Sequence, residues 1–265
     1  MISGTCAAGL VLGLVVGLVV PKKYEASVMI SPVGSLGPAG AATNALESAA
    51  SRLGGLGGLL GVGAIGGDSR KQEALATLQS QQLTQDYIRD NNLLPILFAK
   101  KWDPNRRAWR DPSDPPTLWK GDRLFEEKIR SLSTDSKTGL STLTITWTDP
   151  VLAAEWANGL VSLTNGYLRE KAIEEDRNNI SYLTQQAEKT TVVGIQQAIY
   201  SVLQTEVSQM TFAQGTKEYA LKVIDPAFAP ERSSTPRPWV WTVLGGLAGV
   251  TVAVIIVVVR ETDRA

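Results

Sequence analysis

The sequence predicts a mixed α/β (α+β) domain with a small mixed sheet and an extended helical hairpin, flanked by two transmembrane helices. Three observations support this fold class. Uncharged apolar runs occupy both ends of the 265-residue chain. Short segments between them alternate apolar and polar residues, as half-buried strands do. One apolar stripe with helical spacing continues without proline for about 40 residues, which corresponds to roughly 60 Å of helix.

The composition excludes several kinds of functional site. The formal net charge is zero, so the chain has no general attraction for nucleic acid. It contains no histidine, which excludes Ser-His-Asp and Cys-His catalysis and the common histidine-containing metal sites. Cys6 is the only cysteine, so no intrachain disulfide can form.

The two terminal runs have the length of membrane spans. Residues 2–20 carry no charge, and neither do residues 239–259; a helix needs about 20 apolar residues to cross a bilayer. A signal peptide is the alternative for the first run, but it lacks a basic start and an A-x-A site. We therefore expect spans at 2–20 and 239–259, a domain at 21–238 and a short tail at 260–265.

The charges beside the spans leave the topology open. The positive-inside rule would keep the domain in the cytoplasm, but long domains translocate largely regardless of charge. The basic residues that flank the domain are Lys22, Lys23, Arg232 and Arg237. Those beyond the second span are Arg260 and Arg264.

Small residues in the spans are candidates for helix packing. They recur every four residues, which places them on one helical face and lets membrane helices approach closely. The alternative is that glycine is simply common in such helices. Together with the prolines at the entry to the second span, the candidates for span packing or for contact with a membrane partner are Gly9, Gly13, Gly17, Pro236, Pro238, Gly245 and Gly249.

The first part of the domain predicts a strand and an interrupted helix. Residues 24–30 alternate as a strand does. Ser69 and Gln72 form a capping box, so we expect a helix from Ser69 to about Arg89, with a break near Ser80. Residues 101–121 contain three tryptophans and many prolines, glycines and charges, which predicts a long loop pinned by its tryptophans or, as an alternative, a sugar-binding surface.

The central part predicts a hairpin and then the long helix. We expect a short helix at 124–128, a strand at 129–133, a turn at 135–139 and a strand at 141–147. Asp149 and Pro150 are the N-cap and first residue of the long helix. A turn near 190–194, a return helix over 195–210, a strand at 219–223 and a proline-rich connector at 225–238 complete the domain.

The long helix changes character along its length. Its first half carries a broad apolar stripe, whereas its second half is highly charged with a narrow apolar seam, as in a helical hairpin or a subunit contact. The predicted hairpin covers about 150–214. The charged residues that are candidates for a hairpin or oligomer contact are Arg169, Glu170, Lys171, Glu174 and Arg177.

The stretch GVGAIGG, residues 61–67, matches a dinucleotide-binding pattern but lacks its context. The fingerprint needs a strand before the glycines, and residues 44–60 do not have a strand pattern. Asp86 has the right spacing for a ribose-binding acid but lies in a helical segment. Gly67 and Asp68 stand where a P-loop needs lysine and serine. We expect an apolar loop here, and no catalytic, cofactor-binding or metal-binding residue anywhere in the chain.

Four segments together resemble the Wzz-type polysaccharide co-polymerases, or chain length determinant proteins. They are PKKYEASVMISP, EALATLQSQQL, LSTLTITWTDPVLAAEWANGLVSLTNGYLR and YALKVIDPAFAP with the proline-rich connector. The resemblance covers nearly the whole chain. It implies a bacterial inner-membrane protein with two spans, a periplasmic domain and both termini in the cytoplasm.

The resemblance also implies a function. Members of this family form homo-oligomeric rings and act with an integral-membrane polymerase on undecaprenyl-linked chains, setting the length of lipopolysaccharide O-antigen or related polysaccharides without catalysis. The missing basic residues before the first span depart from the family, and the hairpin is shorter than in its longest members. The alternative is a membrane adaptor that anchors and activates a separate cytoplasmic tyrosine kinase; the short sequence RETDRA leaves little to engage one.

Overall fold

The structure is a computed structural model that describes residues 22–33, 62–234 and 251, with residues 62–68 described as backbone only. The predicted spans at 2–20 and 239–259 therefore lie outside the described residues except for Thr251, and the candidate glycines and prolines of these segments lie outside them entirely. Within the described part of the chain, no helix combines the length and the apolar character needed to cross a membrane.

The described elements follow the predicted order of strands and helices. A 3₁₀ turn at Ala99–Lys101 and a π-helical segment at Phe125–Ile129 lie between them. The elements are β1 (Tyr24–Pro32), α1 (Val62–Gln79), α2 (Gln81–Asp90), α3 (Leu94–Leu97), β2 (Trp102–Asp103), β3 (Ala108–Trp109), α4 (Leu118–Leu124), β4 (Arg130–Thr134), β5 (Ser141–Trp147), α5 (Pro150–Lys189), α6 (Val193–Gly215) and β6 (Leu221–Asp225).

Four of the strands form one small sheet, and β2 and β3 form a separate two-stranded ribbon. The order in the sheet is β4-β5-β1-β6, so the first and last strands of the domain are neighbours. They are antiparallel, with Ile30 opposite Val223 and Pro32 opposite Leu221. In β1 the buried residues alternate with exposed ones, as a sheet with one covered face requires. The predicted combination of a small sheet and a long helical hairpin is confirmed.

The described residues divide into two compact units. The first consists of residues 22–26, 145–154, 228–234 and 251, and the second of residues 27–33, 62–144 and 155–227. In the first unit Asp149 caps α5 as predicted, because its carboxylate accepts from the backbone N–H groups of Val151 (2.8 Å) and Leu152 (3.2 Å). The N–H of Ser234 donates to the carbonyl of Lys23 at 2.8 Å, which joins the two ends of the described chain.

The second unit has a core built on the first half of α5. Trp156 and Phe125 are buried, and their ring centroids lie 5.5 Å apart. A Cβ atom at Gly159 would lie 2.3 Å from the hydroxyl of Tyr87, so only glycine at this position allows α2 to contact α5 so closely. Burial, with a smaller effect from Glu155, raises the pKa of Tyr87 to about 12.

A half-buried arginine, Arg130, holds the break between α1 and α2. The guanidinium of Arg130, at the start of β4, donates to the carbonyls of Leu78 (3.0 Å) and Gln79 (2.9 Å) at the end of α1. It also donates to the hydroxyl of Thr84 in α2 at 2.7 Å. Arg130 therefore satisfies carbonyls that the end of a helix leaves without partners. Ser80 caps α2 through the N–H of Leu83, which confirms the predicted break.

Two asparagines on α5 bind the backbone on both sides of β6. The amide of Asn165 donates to the carbonyl of Leu221 and accepts from the N–H groups of Ala220 and Leu221, all at 2.8 Å. Seven residues earlier, Asn158 makes the same two-way contact with Ala227 at 2.9 Å. A spacing of seven places both side chains on one face of the helix. Together they fix the last strand of the domain to α5.

Several predicted boundaries were wrong. The first helix begins at Val62 and not at Ser69, because glycine lowers helix propensity without preventing a helix. The predicted loop at 101–121 ends at Thr117, whose side chain caps α4. Within α4, a side chain at Gly121 would meet Ile88 and Leu94 at 3.1 and 3.2 Å, so this glycine serves close packing and not a turn. The last strand begins two residues later than predicted, at Leu221.

We predict that Asn165→Ala lowers the free energy of unfolding by about 3 kcal/mol. Asn165 is 4% exposed, so its removal leaves three buried backbone groups without partners, and each such group costs about 1–3 kcal/mol before relaxation. Urea denaturation followed by circular dichroism measures the change. Asn178→Ala is the control, because Asn178 is exposed on the same helix. Equal effects of the two substitutions would contradict the assigned role.

Candidate functional site

Helices α5 and α6 form an antiparallel hairpin with a narrow seam. The side-chain amide of Gln196 donates to the carbonyl of Ala187, and that of Asn179 donates to Glu206, both at 3.3 Å. The less exposed residues are spaced alternately three and four apart, which is the repeat of a two-helix coil. On α5 these are Ile173, Asp176, Ile180, Leu183 and Ala187, and on α6 they are Gln196, Ile199, Leu203, Glu206, Met210 and Ala213.

Two acidic side chains face each other in this seam. Asp176 of α5 is 9% exposed, and the carboxyl group of Glu206 on α6 lies near enough to raise its pKa. Repulsion between two neighbouring carboxylates favours a state in which one of the two holds a proton. Burial, then the charges of Glu206 and Glu175, raise the pKa of Asp176, whereas Arg70 of α1 lowers it. The seam therefore contains a titratable pair.

A cavity of about 120 Å³ lies beside the seam. Residues from α1, α5, α6, the segment before β6 and Val33 after β1 line it, and we name it the hairpin cavity. Part of its wall is apolar, formed by small and branched side chains such as Ala172 and Leu168. Its charged and phenolic groups are those of Arg70, Glu73, Lys171, Glu175, Asp176 and Tyr219.

An ion pair between α1 and α5 forms one side of the cavity. The ammonium of Lys171 lies 2.6 Å from the carboxylate of Glu73. The hydrogen bond to Glu73 raises the pKa of Lys171. Across the cavity, burial raises the pKa of the Tyr219 hydroxyl. The hairpin cavity thus combines a paired cation, a second cation at Arg70, and a buried acid.

The structure separates the charged residues predicted as a contact cluster. Lys171 lies in the hairpin cavity and pairs within its own chain. Arg169 is half-buried, and its guanidinium lies 3.7 Å from the carboxylate of Glu170. Glu170, Glu174 and Arg177 are exposed on the outer side of α5. Their contact with another subunit stays a prediction.

Sequence reasoning missed most of the cavity. Arg70 and Glu73 lie about one hundred residues before Lys171 in the chain, and no local pattern joins them. A signal existed for the acids: Asp176 and Glu206 occupy seam positions in repeats whose other members are mostly apolar. An acid at such a position indicates either a buried pair or a polar site.

The tryptophan-rich segment is a second surface of interest. The rings of Trp102 and Trp109 pack edge to face with centroids 4.9 Å apart and hold the ribbon of β2 and β3 together. Lys101 and Lys120 both bind the carboxylate of Asp114, at 3.2 and 2.8 Å. Trp119 is 55% exposed, and the guanidinium of Arg123 lies 5.4 Å from its ring centre. Two of the three tryptophans therefore stabilise the ribbon.

The glycines of GVGAIGG do not form the predicted loop. Gly63, Gly66 and Gly67 lie inside the first turns of α1 and not in a loop. Asp86 lies in α2 as predicted and pairs with Arg89 at 2.6 Å. No group of three or more acidic or cysteine side chains in the described ranges could hold a metal ion.

Two solved structures show a partial likeness to this chain. No family model and no curated protein matches the chain. A solved full-length bacterial polysaccharide co-polymerase is 11% identical with a TM-score of 0.40, and the match covers 98% of this chain and 94% of that one. A fragment of WzzB, a polysaccharide co-polymerase from Salmonella Typhimurium, is 12% identical with a TM-score of 0.31, over 81% of this chain and 100% of that one. Both bear the name of the class that the sequence resembles. No residue role is carried over from either structure.

The acidic pair predicts that the stability of the hairpin falls as the pH rises. This is opposite to ordinary acid denaturation, in which stability falls as the pH falls. Because the pKa of Asp176 is higher in the folded chain than in the unfolded one, the folded state binds more protons between these two values. The contribution of this group to stability is fully present below the unfolded pKa and is lost as the pH rises through the folded pKa. We expect the hairpin to lose stability as the pH rises above the ordinary range of an aspartate carboxyl group.

We predict that Glu206→Gln stabilises the hairpin at neutral pH and flattens this dependence. The amide keeps the size of the side chain, removes one negative charge and supplies a donor to Asp176. Hydrogen exchange of α6 at pH 5 and pH 8 measures the effect. Glu174→Gln, a change on the exposed side of α5, should leave the dependence unaltered. Identical pH profiles for wild type and Glu206→Gln would refute the shared proton.

Proposed function

We propose that the protein is a non-catalytic regulator of surface polysaccharide length, for O-antigen or a related polymer. In this proposal it is a ring-shaped homo-oligomer in the bacterial inner membrane, with residues 21–238 in the periplasm and both termini in the cytoplasm. It acts with an integral-membrane polymerase on undecaprenyl-linked chains. The proposal rests first on the four sequence segments that resemble the polysaccharide co-polymerases.

The main observation behind the proposal is that the two ends of the domain are joined. Lys23 and Ser234 are joined by a backbone hydrogen bond of 2.8 Å. The segment 2–20 ends three residues before Lys23, and 239–259 begins five residues after Ser234. A domain held to a bilayer by two spans needs its two ends side by side on the membrane side. This hydrogen bond supplies that arrangement and supports the predicted two-span topology.

The use of buried polar groups supports a non-catalytic role. Asn158 and Asn165 bind backbone groups beside β6, Arg130 satisfies the end of α1, and the buried hydroxyl of Thr164 donates to the carbonyl of Leu160 at 2.8 Å. Each of these groups has a structural partner within the domain. Such groups specify a fold and offer no nucleophile with an adjacent base.

The outer side of α6 supports oligomerisation. This 23-residue helix contains one charged residue, Glu206, which lies in the seam. Its exposed side carries Val193, Tyr200 and Val207 at spacings of seven, with Ile195 and Val202 beside them. A solvated helix normally carries charges on its outer side, whereas an uncharged, partly aromatic side is typical of a protein interface. We propose that α6 packs on a neighbouring subunit and that Arg169, Glu170, Glu174 and Arg177 lie at the rim of this contact.

The membrane segments are the proposed site of contact with the polymerase. Gly245 and Gly249 offer a flat face on the second span, and Pro236 and Pro238 stiffen its entry. Gly9, Gly13 and Gly17 offer a similar face on the first span. The lipid bilayer and the polymerase are thus the partners of these segments, and neither nucleic acid nor a cofactor takes part.

We predict that Tyr200→Glu with Val207→Glu breaks the oligomer and broadens the polysaccharide length distribution, because two charges would be buried in the subunit contact. Native gels measure the oligomer, and a lipopolysaccharide ladder gel measures the chain length. Asn178→Glu with Gln185→Glu adds the same charges at the same spacing on the exposed side of α5 and should change neither. A deletion strain whose ladder keeps its modal band would refute the function itself.

We predict that Gly245→Leu with Gly249→Leu shifts the length distribution while the domain still folds and assembles. Interactions between membrane helices are worth about 1 kcal/mol each, so the change should be partial. If these glycines instead pack against Gly9, Gly13 and Gly17, the oligomer itself should be destabilised. An unchanged oligomer with a wild-type ladder would refute both roles of these glycines, the contact with the polymerase and the packing between the two spans.

A further inference from the structure

We propose that the hairpin cavity is a binding site for a single sugar ring. The proposal rests on the proposed function only for the source of the sugar, a polysaccharide chain. The lining of the cavity comes from five segments of the second unit: Val33 after β1, then α1, α5, α6 and the residues before β6.

The buried acid of the cavity lacks a donor of its own. Asp176 is nine-tenths buried and lines the cavity. The carboxyl of Glu206 lies beside it and raises its pKa. Among the described residues, no N–H group and no alcohol donates to Asp176. A carboxylate that borders a cavity without such a donor is free to accept a hydrogen bond from a ligand hydroxyl.

The remaining charges decide the class of ligand. A metal cation would be repelled by the positive charges of Arg70 and Lys171. An inorganic anion would be repelled by the negative charges of Glu175 and Asp176. A sugar hydroxyl can donate to a carboxylate and accept from a guanidinium at the same time. The mixture of both signs in one small cavity therefore fits a neutral polyhydroxyl ligand better than an ion.

The shape and the apolar wall are consistent with one ring. The cavity volume of about 120 Å³ is below the range of roughly 300–1,000 Å³ that drug-sized ligands occupy. Leu168 and Ala172 contribute apolar surface to the lining, which can contact the C–H face of a pyranose. Tyr219 adds a ring and a hydroxyl to the lining.

A protein-observed methyl NMR titration of the full-length protein in nanodiscs tests the proposal. The probes are D-glucose, D-galactose and N-acetyl-D-glucosamine, with sodium sulfate as the anion. We expect at least one sugar to bind with a Kd of about 1–10 mM, as befits a small ligand with few contacts. We expect no binding of sulfate. A site that binds sulfate and none of the sugars is an anion site, and this result would overturn the proposal.

A cavity-filling variant locates the binding. Ala172→Leu should weaken sugar binding at least tenfold because its side chain occupies the cavity, whereas Ala198→Leu on the exposed side of α6 should not. Arg70→Ala should weaken binding several-fold without filling the cavity, which keeps the test valid if Ala172→Leu misfolds. Equal binding by wild type and both cavity variants would overturn the assignment.

The test of the sugar site and the test of the proposed function can give different results. A deletion strain with an altered polysaccharide ladder, combined with protein that binds no sugar, would refute the site and leave the function in place. Sugar binding that Ala172→Leu abolishes, combined with an unaltered ladder in the deletion strain, would support the site and refute the function.

Discussion

The position of the last strand depends on two asparagine side chains. Asn158 and Asn165 lie one heptad apart on α5 and bind backbone donors and acceptors on both sides of β6. Amides suit this task because each offers both a donor and an acceptor. With β6 held there, its pairing with β1 closes the sheet with the first and last strands as neighbours.

The hairpin follows a different rule, because its seam is kept narrow and partly polar. Burying two acids against each other costs stability, whereas a polar residue in a coiled seam fixes the register of the two helices. Asp176 and Glu206 can meet in only one register. The helix that supplies Glu206 has no other charged residue, so its outer side has no charged group for water to solvate. A hairpin with a fixed register and an uncharged outer side is suited to repeating one contact between identical subunits.

Local signals in the sequence predicted the elements whose structure is decided locally. Asp149 caps α5, and the turn before β5 uses the carboxylate of Asp135 and a glycine, Gly139, with a φ of 70°. What the sequence could not predict depends on residues far apart. Arg130 binds the end of α1, which lies some fifty residues earlier in the chain, and Glu73 pairs with Lys171, which lies 98 residues later. For the same reason α4 begins at Leu118 within a stretch rich in loop-forming residues: Gly121 faces Ile88 and Leu94.

The hairpin cavity and the seam share one residue, and that residue links the two sites physically. Asp176 borders the cavity on one side and Glu206 on the other. A hydroxyl that donates to Asp176 favours its charged form and removes the need for a shared proton with Glu206. Occupancy of the cavity would then alter the contact that holds α6 against α5. Since α6 carries the uncharged outer side, a ligand in the cavity and a neighbouring subunit on α6 would act on the same helix. Coupling of this kind requires one ligand to favour one arrangement of the hairpin over another, and the Asp176–Glu206 pair is the described contact whose energy such a ligand changes directly.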